Sequence, residues 1–81
     1  MKIEILGVGC SNCTKLEQEV FNALAELKID AEMVKVSDLN KISSYGVLMT
    51  PGLVINGKVY SSGKLPSMAL LKSWIEDESK K

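Results

Sequence analysis

Asn56-Gly57 stands between two short β-prone runs, Leu53 to Ile55 and Lys58 to Tyr60. A two-residue Asn-Gly loop is a strong hairpin signal, because both positions tolerate the positive φ that its tight turn requires. The second half of the chain is therefore expected to hold an antiparallel pair. The first half demands the opposite. Lys2 to Gly7 (KIEILG) reads as a strand with Ile3 and Ile5 on one face and Leu6 on the other. Ala31 to Val36 (AEMVKV) alternates, with Glu32, Val34 and Val36 facing one way and Met33 and Lys35 the other. Between them, Leu16, Val20, Leu24 and Leu27 recur at helical spacing, and Phe21 widens the stripe. Strands joined by a crossover helix are parallel. A parallel pair and a hairpin together imply a mixed sheet.

The remaining signals complete the order. Ser11 and Asn12 are good N-cap types for the first helix, which is expected to begin at Asn12 or Cys13. Ser37 or Asp38 can cap a short helix carrying Leu39, Ile42 and Tyr45, and Gly46 suits its end. Ser61, Ser62 and Gly63 read as a loop. Pro66 fits the first turn of a last helix, with Met68, Leu71 and Ile75 as its buried stripe and Leu70 and Trp74 flanking. The expected order is β-α-β-α-β-β-α, a four-stranded mixed sheet in a three-layer α/β/α arrangement. Residues 1–81 are expected to form a single domain.

Composition narrows the function classes. Ten basic and ten acidic residues give a formal net charge of zero, so no basic nucleic-acid footprint is visible. Ile3 to Val8 is short, is interrupted by Glu4 and precedes no cleavage signature, so it is not read as a secretory signal. No apolar run approaches a membrane span. A cytoplasmic chain with no membrane partner is expected. Lys80 and Lys81, beside Glu76, Asp77 and Glu78, read as a solvated, frayed helix end.

Both cysteines lie in Gly7 to Leu16 (GVGCSNCTKL), as Cys10 and Cys13. Two cysteines in a cytoplasmic chain point to catalysis or metal binding more than to a structural framework. Their place is where the first strand ends and the first helix begins. Free N–H groups and the partial positive charge of a helix start stabilise a thiolate, the reactive form. Cys10 would lie on the loop, open to a partner, and Cys13 one turn in, shielded. That asymmetry suits an attacking and a resolving cysteine. Plain packing of two buried cysteines is the structural alternative. Histidine is absent and there is no second cysteine pair, so an intrachain zinc site lacks ligands. A two-thiolate site for a soft ion such as Cu(I) stays open.

Thr50-Pro51 precedes the third strand, where a proline costs no ladder bond. It reads as a trans turn or as a cis bond. A cis bond would turn the Thr50 backbone toward the cysteine loop, where it could hold an extended partner by strand-like pairing.

With these residues in register, the chain resembles the thioredoxin superfamily. Cys10-Ser11-Asn12-Cys13 resembles its active-site CxxC motif. Tyr45-Gly46-Val47 followed by Thr50-Pro51 resembles its Tyr-Gly-Val segment and cis-proline. More narrowly, GVGCSNCTKL, MTPGLVING and Gly63 before the last helix resemble the small glutaredoxin-like redox-active disulfide proteins of archaea and bacteria. The resemblance implies a thiol–disulfide oxidoreductase that reduces protein disulfides and is recharged by a thioredoxin-reductase-like donor. It implies no bound cofactor. Cys10 would be the nucleophile and Cys13 the resolving thiol. Ser11, Asn12, Thr50 and Pro51 would hold the substrate, and the protein would act as a monomer.

The chain also departs from the family pattern. Gly9 replaces the usual tryptophan before the first cysteine, and no proline separates the pair. Ser61-Ser62-Gly63-Lys64 stands where glutaredoxins carry a glycine pair and an acid, which argues against glutathione.

Glu4 lies six residues before Cys10, the offset of the family's buried carboxylate, and would then relay the resolving cysteine's proton. The preferred reading is a solvated or ion-paired strand residue, because a buried acid needs partners and the sequence identifies none. Tyr45 reads as core, and Lys15 as a solvated first-turn charge.

Two other functions compete. The Gly-rich CxxC loop also resembles that of copper chaperones, whose order is β-α-β-β-α-β. A redox-gated adaptor would use the disulfide to change a binding surface.

Overall fold

The computed structural model describes residues 1–8 and 11–80. Its elements are β1 (Lys2–Leu6), α1 (Ser11–Leu27), β2 (Glu32–Val36), α2 (Leu39–Ser44), β3 (Gly52–Ile55), β4 (Lys58–Ser62) and α3 (Met68–Ser79). The order β-α-β-α-β-β-α matches expectation. It differs from the copper-chaperone order in placing a helix between β2 and β3 and in ending on a helix.

The sheet runs β2-β1-β3-β4. β1 pairs parallel with β2, and β3 pairs antiparallel with both β1 and β4. The turn between β3 and β4 uses left-handed backbone at Asn56 (φ 52°) and Gly57 (φ 81°). β1 and β3 are central, and every residue of β3 is buried, as expected for strands covered on both faces.

Alternation sorts the side chains into two cores. Ile3, Ile5, Leu53 and Ile55 face α1 and α3, meeting Leu16, Val20, Leu24, Leu71 and Ile75. Leu6 and Val54 face the other way and pack with Val36, Ile42 and Val47 around α2. Burying one such side chain is worth about 1.5–3 kcal/mol, against about 0–1 kcal/mol for an exposed ion pair. Rim pairs such as Lys72 with Glu26, 3.1 Å apart, are therefore minor beside these cores.

Several details differ from the sequence expectations. α1 begins at Ser11, one residue before the earlier of the two expected starts. Phe21 is 64% exposed, because it projects from a flank of α1 that neither the sheet nor α3 covers. Leu39 is also exposed, since α2 has only six residues and buries Ile42 alone. Asp38 caps that helix by accepting from the Asn40 N–H at 2.9 Å. Ser61 and Ser62 are strand, not loop: β4 carries an extra residue, Tyr60, as its pairing steps from Val54–Val59 to Leu53–Ser61. Pro66 lies one residue before the N-cap of α3, which is Ser67, whose hydroxyl accepts from the Leu70 N–H.

Candidate functional site

The topology gathers chemistry at one end of the sheet. β1 and β2 run parallel and finish there. β3 starts there and β4 finishes there, since Leu6 pairs with Gly52 and Gly52 with Ser62. The Gly7 N–H donates to the Val36 carbonyl at 2.9 Å, and the chain then turns toward α1. Cys10 lies outside the described residues. Ser11 and Asn12 are exposed in the first turn of α1.

Cys13 is buried at 4% exposure and is disulfide-bonded. Its side chain lies against Gly7. A Cβ at position 7 would overlap the Cys13 sulfur and come within 2.9 Å of its Cβ. Glycine is needed there for space. No acid lies in the first turn of α1, and Lys15 is exposed beside it, so nothing in that turn neutralises the positive helix end.

Thr50 and Pro51 immediately precede β3, whose first residue, Gly52, pairs with Leu6 at the end of β1. Their peptide bond is cis. Pro51 is buried and Thr50 half-buried. The Pro51 carbonyl accepts from the Gly63 N–H at 2.9 Å, which ties the proline loop to the end of β4. Gly63 has φ +72°, and a Cβ there would sit 2.9 Å from that of Met49. Backbone conformation and crowding both select glycine.

Of the two readings of Glu4, solvated or ion-paired, the structure corrects the first and keeps the second. Glu4 is buried at 4% exposure. The Tyr45 hydroxyl donates to its Oε2, and the Lys2 ammonium lies 3.6 Å from its Oε1. Tyr45, at the C-cap of α2, also packs against the Ile42 core. Its phenol is pushed above the ordinary tyrosine value, first by the hydrogen bond to Glu4, then by burial and by the carboxylate's charge.

Glu78 corrects the frayed terminus. It is buried at 7% exposure and accepts from the Tyr60 hydroxyl and from Asn56 Nδ2 at 3.3 Å. Lys58 lies 4.0 Å away. A usable signal existed: Leu71, Ile75 and Glu78 share one helical stripe. Among the described residues, no three His, Cys, Asp or Glu side chains are grouped to hold a metal ion. No helix among them is long and apolar enough to cross a membrane.

A mixed four-stranded sheet, helices on both faces and a disulfide-bonded cysteine at a helix start describe a thioredoxin-like α/β protein. Residues 1–76 match the family model for the thioredoxin domain, and the chain belongs to that family. It is 39% identical to a thioredoxin of Methanothermobacter thermautotrophicus over 72 residues, 89% of this chain and 94% of that protein. It is 41% identical to a thioredoxin of Methanocaldococcus jannaschii over 70 residues, 86% of this chain and 80% of that one.

Proposed function

We propose that this protein is a thiol–disulfide oxidoreductase that reduces protein disulfides through Cys10 and Cys13. The observation that carries the reading is a buried, disulfide-bonded Cys13 at the start of α1 in a chain of the thioredoxin family. In the reduced protein the Cys10 thiolate attacks one sulfur of the partner's disulfide. That bond breaks, a mixed disulfide forms, and the other partner sulfur leaves as a thiolate. The Cys13 thiolate then attacks the Cys10 sulfur and releases the second partner sulfur. Two electrons have passed to the partner, and the chain holds an internal disulfide. A thioredoxin-reductase-like donor restores the dithiol.

Ser11, Asn12, Thr50 and Pro51 frame the place where the partner lies in this reading. Glu4 takes up the proton of Cys13 as it becomes a thiolate. Its burial on β1, the strand that leads into the cysteine turn, supports that role. Residues 1–81 act as one thioredoxin-like unit, a cytoplasmic monomer without a tightly bound cofactor.

The test is a cysteine pair of variants. Cys10→Ser is expected to abolish disulfide reduction, and Cys13→Ser to trap the partner as a mixed disulfide. In the reduced native protein, Cys10 should react first with iodoacetamide at mildly acidic pH. Equal reactivity of the two thiols, or full activity in Cys10→Ser, overturns the assignment. Partner binding that survives loss of both cysteines would instead make the protein an adaptor.

A further inference from the structure

Resting on the redox reading above, we propose that the partner segment received at this end of the sheet carries an acidic residue and an apolar side chain beside its reactive cysteine. The surface that reads them is a groove of about 580 Å³ between β4 and the start of α3. That volume falls within the ordinary range of ligand pockets. Val59, Tyr60, Leu65, Leu70 and Trp74 line it, and Lys64 stands on its wall. Among the described residues, no acidic side chain lines it.

The groove is continuous with the candidate site. Lys64 follows Gly63, whose N–H is bonded to the Pro51 carbonyl and whose Cα lies against Met49. Leu48 and Met49, just before Thr50-Pro51, are 93% and 67% exposed. An extended chain laid across Thr50-Pro51 therefore meets exposed apolar side chains and a cation.

The balance of charge chooses the occupant. Lys15 and Lys64 are both exposed at this end of the sheet. Asp38 lies at the same end, as the N-cap of α2, and is not among the residues that line the groove. A second hollow, beside Phe21 and Met33, carries Lys28 and Asp30 together and so has no charge preference. Of these two, the groove beside β4 combines apolar walls with a lysine and, among the described residues, no lining acid. A carboxylate two or three residues from the partner's cysteine would meet Lys64, while a neighbouring aliphatic or aromatic side chain enters between Leu65, Leu70 and Trp74.

The experiment uses the full chain, recharged by dithiothreitol, and three synthetic peptide disulfides. The peptides are identical except for Glu, Gln or Lys two residues from the cysteine. At low ionic strength, kcat/KM is expected to fall in the order Glu, Gln, Lys, with about two- to fivefold per step, the range of an exposed charge pair. The spread should close at molar salt, where the Debye length shrinks to about 3 Å. Lys64→Glu should reverse the order, read as a ratio within the variant so that any change in folded fraction cancels. Equal values for the three peptides at low salt overturn the proposal and leave the redox reading standing. An unchanged preference for Glu in Lys64→Glu also overturns it. So does a dimer, seen by sedimentation, whose formation covers the groove and removes the preference. Failure to reduce any peptide, or oxidised 2-mercaptoethanol, overturns both.

Discussion

Two buried carboxylates in this small protein are built from the same parts. Glu4 and Glu78 each accept a tyrosine hydroxyl, from Tyr45 and Tyr60, and each has a lysine ammonium at its edge, Lys2 or Lys58. Burying an ionised acid costs several kcal/mol unless such partners are present, which explains why both clusters are equipped alike. Their positions differ. Glu4 lies on β1, the strand that leads into the cysteine turn, and its tyrosine sits five residues before Thr50. Glu78 lies near the end of α3 and closes against the Asn56 turn, which also accepts the Lys2 N–H at 3.0 Å. The same set of partners thus stands on the strand that leads to the cysteine turn in one case and at the hairpin turn in the other, and the proposed function gives a proton-relay role to the first alone.

The largest expected contrast is kinetic. Glu4→Gln should slow disulfide exchange near neutral pH on the order of a hundredfold, the low end for a positioned proton-transfer group. Glu78→Gln should leave that rate unchanged. Stopped-flow kinetics of the oxidation step checks both, and an equal effect of the two changes would erase the distinction. Stability comes next. Glu78→Ala leaves the Tyr60 hydroxyl and the Asn56 amide without their acceptor and should cost about 1–3 kcal/mol in urea unfolding. A loss below about 0.5 kcal/mol would mean that α3 is held by Leu71 and Ile75 alone.

The third contrast is alkaline. Tyr45 has a raised phenol pKa in the folded protein, so the fold favours its protonated form. That contribution is fully present below the ordinary tyrosine value of about 10 and is lost as pH rises through the raised folded value. Melting temperature should fall in that window, and Tyr45→Phe should flatten this part of the profile. Absorbance titration of the tyrosinate should show Tyr45 ionising late. The smallest effects belong to the lysines. Lys2 and Lys58 are half-exposed or more, so Lys2→Ala and Lys58→Ala should each cost less than about 1 kcal/mol and vanish in salt.

Much of the fold was legible because its signals are local. Asn56-Gly57 announces its turn through two residues that accept positive φ, and Ile3, Ile5 and Leu6 sort to two faces by alternation alone. The cysteine turn is legible for the same reason, since spacing and a helix start are read along the chain. What was lost depends on distant neighbours. Phe21 sits on the apolar flank of its helix but finds no covering element. Ser61 and Ser62 look like loop residues, yet the extra residue at Tyr60 carries the ladder to Gly52. Glu4 and Glu78 read as solvated because their tyrosines lie 41 and 18 residues away. Gly63 was noticed, but its bond to Pro51 depends on how the hairpin returns to β3.

The bond between Asn56 and the first strand has a practical consequence. The Asn56 N–H donates to the Lys2 carbonyl at 2.8 Å and the Asn56 amide reaches Glu78, so residues 2 and 78 flank one hairpin turn. The cysteine turn leaves the opposite end of β1. A fluorophore, an affinity handle or an electrode linker attached at the Asn56-Gly57 turn would stand at the end of the sheet opposite Cys13. The molecule can thus be immobilised through that turn with its Cys13 side facing outward.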